Sequence, residues 1–226
     1  MENRTPVSVL KNSLLACVGL LFFGFGIYLT IQANIGAAPW DSFSLGLSSV
    51  LGIKFGNAAV MISFLVLLVD ILLREKIGIG MLLDAILVGK TVDLLNFLDL
   101  VKPQQSPLSG ALCMIAGMAV CGFAQAIYMR AALGCGPRDA LLVGLSRRLS
   151  RLPIGGVSIG IQATVAVIGW LLGGSIGLGT LLFALLQGPI MELVFRLVRF
   201  DAKAVRHQDL PESLRVLSGR VLEERV

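Results

Sequence analysis

An all-α polytopic membrane protein is the fold class this sequence predicts. Six transmembrane helices plus two short re-entrant or interfacial helices form two inverted-topology repeats of three spans each. Three observations lead there. The 226 residues are 56% hydrophobic and only 15% charged, with a mean hydropathy of +0.86, whereas a soluble domain carries about a quarter charged residues. The apolar residues gather into runs of about 20, the length that crosses about 30 Å of hydrocarbon. The second half of the chain also echoes the first at a nearly constant offset.

Residues 1–12 are polar and basic and read as a cytoplasmic N-terminus. The first run, 13–33, is longer than the roughly 7–15 apolar residues of a signal-peptide core, and no small-residue cleavage site follows. It reads as a retained span. Runs at 57–73 and 77–97 complete a first repeat, 13–97. An external loop, 98–108, leads into a second repeat, 109–200, with runs at 109–130, 155–173 and 177–198. Short segments at 39–51 and 137–150 follow the first and fourth runs, mixing leucine with serine, glycine and charge. At about a dozen residues they are too short to cross alone. The tail, 201–226, carries a helix start at Asp209-Leu-Pro211-Glu212, with Leu214, Leu217 and Val221 on one face. It reads as an amphipathic cytoplasmic segment.

The duplication rests on a ladder of glycines. Gly36-Ala-Ala-Pro39-Trp-Asp41 aligns with Gly134-Cys-Gly-Pro137-Arg-Asp139 at an offset of 98, which also pairs Gly19 with Gly117 and Gly46 with Gly144. One inserted residue later the offset is 99, pairing Gly56 with Gly155, Gly78 and Gly80 with Gly177 and Gly179, and Gly89 with Gly188. Chance matches of leucine are common in apolar sequence, but a glycine ladder joined to Pro-x-Asp is not.

Orientation follows from the basic residues, which favour the cytoplasmic side. With six spans and the N-terminus inside, cytoplasmic segments hold Arg4 and Lys11, Arg74 and Lys76, Arg130, Arg138, Arg147, Arg148 and Arg151, and the tail. The external loops hold only Lys54 and Lys102. Three spans per repeat is an odd number, so the second copy enters from the opposite side, the plan common among secondary transporters.

Two constellations carry possible chemistry. The first is G-x-x-P-x-D at the start of each short helix. Gly36 and Gly134 let the chain turn sharply, Pro39 and Pro137 suit the first helical position, and Asp41 and Asp139 meet the positive helix end. Those aspartates either stabilise the helix starts or line a central path at broken helices, one motif serving each mouth. The second constellation is the third span of each repeat. Asp84, Lys90 and Asp93 lie within one run, and charge at membrane depth faces protein or a watered cavity. Lys90 and Asp93, three apart, suit an ion pair on one helix face, which leaves Asp84 as the carboxylate without a local partner. The matching helix carries Gln187, Pro189 and Glu192, with Arg196 as a partner for Glu192 and the proline expected to bend or open the helix. Asp70, four residues before Arg74, reads as an interfacial pair. The set Gly36, Pro39, Asp41, Asp84, Lys90, Asp93, Gly134, Pro137, Asp139, Gln187 and Glu192 is the expected substrate site.

Other classes lack their residues. Cys17, Cys113, Cys121 and Cys135 form no C-x-x-C pair, and the single histidine, His207, stands in the tail, so no metal site or disulfide framework is expected. No P-loop, G-x-S-x-G, H-E-x-x-H or dinucleotide fingerprint occurs, so no cofactor and no enzymatic activity are expected. The net charge of +5 suits anionic lipid headgroups rather than nucleic acid. Glycines four apart, as in Gly169/Gly173/Gly177, suit close helix packing and a homodimer.

The duplicated G-x-x-P-x-D, the Gly78-Ile-Gly80 and Gly177-Leu-Gly179-Thr180 helix starts, and Gly89 with Gly188 resemble the YczE/YyaS/YitT-type bacterial membrane proteins over about residues 10–200. Gln187-Gly188-Pro189 is similar to that group's second-repeat motif, while Met81 departs from the threonine of the first. The resemblance implies a bacterial inner-membrane location and names no substrate. The function expected is a small secondary transporter of a small solute or ion; a non-transporting scaffold or accessory subunit is the alternative.

Overall fold

The computed structural model describes residues 6–201 and Leu210. These form eight helices and no strand: α1 (Pro6–Gln32), α2 (Pro39–Leu51), α3 (Phe55–Leu72), α4 (Ile79–Leu98), α5 (Pro107–Arg130), α6 (Pro137–Arg148), α7 (Ile154–Leu171) and α8 (Leu178–Leu197). Each of the six apolar runs is a long helix, and each Pro-x-Asp motif starts a short one. Five helices, α1, α3, α5, α7 and α8, are long and apolar enough to cross a membrane. At 20 residues α4 matches them in length, but Asp84, Lys90 and Asp93 dilute its apolar character. The chain is a polytopic helical membrane protein.

Local chemistry accounts for the short helices. Pro39 and Pro137 each occupy the first helical position, where a missing N–H costs nothing. Gly36 and Gly134, which turn the chain out of the preceding long helices, have φ of 107° and 113°, a region open mainly to glycine. Each turn is seated against the start of a long helix from the other half. A side chain on Gly36 would strike Gly177, and one on Gly134 would meet Gly78. The same docking is hydrogen-bonded twice: Gly80 N–H donates to the Leu133 carbonyl at 2.8 Å, and Gly179 N–H donates to the Ile35 carbonyl at 2.7 Å.

Helices α1 and α5 form the spine. Gly19 faces Tyr128, Gly26 faces Gly117 and Cys121, and the Ala33 carbonyl faces Gly110. Ascending positions on one helix meet descending positions on the other, so the two run antiparallel. Helix α4 flanks α1, and α8 flanks α5. The short helices cross over, α2 packing on α7 and α6 on α3. The long-helix ends are tied alike: Gln32 donates to Asn96 Oδ1 at 3.0 Å, and Arg130 donates to the Val198 carbonyl at 2.7 Å. Arg130, counted above among the cytoplasmic charges, thus holds the end of α8.

The two halves differ in how their second and third long helices pack. Helix α3 packs along α4, whereas α7 barely touches α8. Of the bend or opening expected at Pro189, the opening does not occur, for α8 runs unbroken from Leu178 to Leu197. The expected amphipathic tail helix and His207 lie outside the described residues. Leu210 is described, and its N–H donates to the Ile77 carbonyl at 2.6 Å, beside the start of α4.

Candidate functional site

Where the two halves meet, a cavity of about 560 Å³ opens between the spine and the short helices. Its polar lining includes Asp41 from α2, Asp84 from α4, Asp139 and Arg138 from α6, Gln125 from α5 and Gln187 from α8. Phe23, Trp40, Phe183 and Met191 supply apolar wall. A second hollow, about 650 Å³, sits between the α4–α5 loop, around Asp99 and Lys102, and Asn34 and Ile35 just before the first motif; neither motif aspartate lines it.

The starts of α2 and α6 face each other across the cavity. Arg138 Nη1 lies 3.8 Å from Asp41 Oδ1, and its guanidinium carbon lies 5.1 Å from the Trp40 ring centre. The motifs therefore share one site rather than serving separate mouths. Arg138 also leaves the tally of cytoplasmic loop charges, because it points at a buried carboxylate. Asp41 is only 3% exposed. Neither short helix has a side-chain cap hydrogen bond at its start, so the aspartates are not conventional caps.

Asp84 and Asp139 converge on Gly136, the residue before α6. A Cβ there would stand 2.9 Å from Asp84 Oδ2 and 3.9 Å from Asp139 Oδ2. No hydrogen bond from a described residue reaches Asp41, Asp84 or Asp139. Gln187 Oε1 is buried in the wall and has no partner among the described residues. Among the described residues no three His, Cys, Asp or Glu side chains stand close enough together to hold a metal ion.

The remaining expected site residues are structural or peripheral. Lys90 and Asp93 do not pair with each other. Lys90 donates to Asn57 Oδ1, and Asp93 Oδ1 accepts the Gly56 N–H at 2.7 Å. Both reach across to α3, which a same-helix spacing rule cannot foresee. Glu192 accepts from Arg196, as expected, but on an exposed face and away from the cavity. Asp70 is not an interfacial partner of Arg74; it is fully buried, and neither carboxylate oxygen has a partner among the described residues. Arg138, Trp40, Gln125 and Tyr128 were missed as lining residues. Gln125, a polar residue inside an apolar run, was the available signal.

The failure of symmetry borders this cavity. In the first half Gly56 and Gly89 are in contact, so that a Cβ on Gly56 would overlap the Gly89 carbonyl. Their counterparts Gly155 and Gly188 both line the cavity, and a Cβ on either would meet nothing within 4 Å. One seam is shut and its copy is open.

Comparison with known proteins agrees with a membrane protein. The model of a family of unknown function, DUF6198, matches residues 10–196. An uncharacterized membrane protein of Bacillus subtilis (strain 168), YczE, is 32% identical over 206 residues, covering 90% of this chain and 87% of its own. An uncharacterized protein of Haemophilus influenzae (strain ATCC 51907 / DSM 11121 / KW20 / Rd) is 31% identical over 179 residues, covering 79% and 81%. The uncharacterized protein YyaS of Bacillus subtilis (strain 168) is 32% identical over 185 residues, covering 80% and 90%. No solved structure matches the chain.

Proposed function

We propose that this chain, which belongs to the family of unknown function DUF6198, is a small secondary transporter that moves a small solute or ion by alternating access between two inverted repeats. The observation that carries the reading is the pair of unequal seams: Gly56 meets Gly89, while Gly155 and Gly188 stand apart on the cavity. Two copies of one unit in two arrangements are the minimum that alternating access needs, and exchanging the arrangements yields the opposite state.

The antiparallel course of α1 and α5 supports inverted repeats spanning 13–97 and 109–200. The side bearing Arg74, Arg147 and Arg148 is taken as cytoplasmic by the preference of basic residues for that face. Arg147 meets Glu75 there at 3.2 Å. Both termini share that side, in a bacterial inner membrane. Helix α7 begins just beyond Arg151, so the open seam faces the cytoplasmic half. The described state is inward-facing.

The test is a Gly155→Cys/Gly188→Cys pair in a variant whose four native cysteines are replaced. A disulfide needs Cα atoms about 4.4–6.8 Å apart. Oxidation in native membranes is expected to trap the closed seam in a fraction of molecules; a pair that never cross-links sinks the reading.

One observation favours the alternative of a scaffold or accessory subunit. Only 17% of the α7 span and 11% of the α8 span are buried within the chain, which leaves wide faces for lipid, a second copy or a partner. A stoichiometric partner in a pull-down, together with no stabilisation by any small ligand, would favour it.

A further inference from the structure

Taking the cavity as the transport site just proposed, we infer that its ligand is a small organic monovalent cation with an amine head and an apolar body. Two features point the same way, and the first is charge. The cavity is lined by three carboxylates, Asp41, Asp84 and Asp139, and by one cation, Arg138. Arg138 is committed to Asp41 and to the face of Trp40. Asp84 and Asp139 feel the same guanidinium only at longer range and form no ion pair of their own among the described residues, so one cation is left to balance three carboxylates. Inside a membrane protein an ionised carboxylate is balanced by an opposite charge or neutralised by a proton. Either protons or a bound cation complete that balance, so ligand and proton compete for one pair of groups.

The second feature is the unused acceptor capacity of the wall. Among the described residues Gln187 Oε1 is buried without a hydrogen-bond partner, and Asp41, only 3% exposed, accepts no hydrogen bond. An ammonium group supplies three donors and no acceptor, which is the complement of such a wall. The glycine at 136 keeps the space between Asp84 and Asp139 free of side-chain bulk. The scattered carboxylates do not form a metal cage among the described residues. The aromatic and thioether surfaces of Phe23, Phe183 and Met191 instead suit an organic body, and ring faces attract cations. The volume lies within the range of small-molecule sites, about 300–1,000 Å³.

Three probes of one skeleton and different charge test this: phenethylamine, 2-phenylethanol and phenylacetate. Calorimetric binding to the purified full-length protein is expected to rank the amine first, by about tenfold over the alcohol. Asp84→Asn and Asp139→Asn should each weaken the amine about tenfold, and Gly136→Ala should weaken it by crowding the same space. Size-exclusion profiles matching wild type show that these variants fold. Phenylacetate binding tightest, equal binding of all three, binding of none, or an amine affinity unmoved by the aspartate variants each overturns the cation assignment. Flux in proteoliposomes separates the two readings. Amine binding without flux removes the transporter and keeps the cation site. Phenylacetate flux that Gly155→Leu abolishes removes the cation and keeps the transporter.

Discussion

Arg138 and Trp40 hold the same place in the two halves of the chain, and the guanidinium of the one lies over the ring of the other, 5.1 Å from its centre. The repeat thus differs at the point where its copies meet, with a cation facing a π-surface. Arg138 also serves as the only charged partner of Asp41 among the described residues. Arg138→Gln should leave that buried carboxylate without its cation, at a cost of about 1–3 kcal/mol. Arg138→Lys should fall between, since it keeps the charge and loses the planar stack. Thermal unfolding in detergent, followed by circular dichroism, measures both.

Asp93 and Glu192 are repeat counterparts with different work. Asp93 clamps the start of α3 through the Gly56 N–H, so Asp93→Ala should destabilise the fold by about 1–3 kcal/mol. Glu192→Gln removes only an exposed helical pair, and should change stability by less than about 0.5 kcal/mol. Equal effects in the same thermal assay would refute the distinction.

Gly56 and Gly155 separate stability from motion. A side chain at Gly56 overlaps the Gly89 carbonyl and meets the Asp93 carboxylate, whereas one at Gly155 enters open space. Gly56→Leu should therefore lower the melting temperature sharply. Gly155→Leu should leave it unchanged within error and abolish flux, because the wedge bars closure of the α7–α8 seam. Wild-type flux in Gly155→Leu would show that this seam does not close during turnover.

Asp70 is a buried carboxylate without a hydrogen-bond partner among the described residues. If it serves only the structure, Asp70→Asn should stabilise the protein by about 1 kcal/mol or more, because an amide is cheaper to bury than a charge. A raised melting temperature together with lost flux would instead assign this carboxylate to the transport cycle.

Much of this was legible in the sequence because local rules govern it. Pro39 and Pro137 begin α2 and α6 where helix-start chemistry puts them. The long helices follow the apolar runs, and Asp84, the carboxylate without a neighbour at helical spacing, does reach the cavity. The misreadings share one cause. Lys90 and Asp93 satisfy an i,i+3 rule, yet Asn57 and Gly56 on α3 offered better partners. Arg138 counted as a loop charge until α2 brought Asp41 within 3.8 Å. Contacts between elements compete with contacts along one helix, and spacing records only the latter. The open seam was hidden for a further reason. Gly56/Gly89 and Gly155/Gly188 are the same residues in both copies, so their difference is a matter of conformation.

The two docking bonds, Gly80 to Leu133 and Gly179 to Ile35, bear on how the chain is made. Each joins the third long helix of one half to the turn of the other, so neither half can reach its final packing alone. The ribosome has joined more than half of the chain before Leu133 exists. Until then α4 enters the bilayer with Asp84 unsheltered by the second half. An early nascent chain thus presents the Asp84 carboxylate to lipid or to the insertion machinery, while Lys90 and Asp93 already have Asn57 and Gly56 of α3 as partners. A half-length product would keep that exposure permanently, a ready mark for the proteases that clear unassembled membrane proteins.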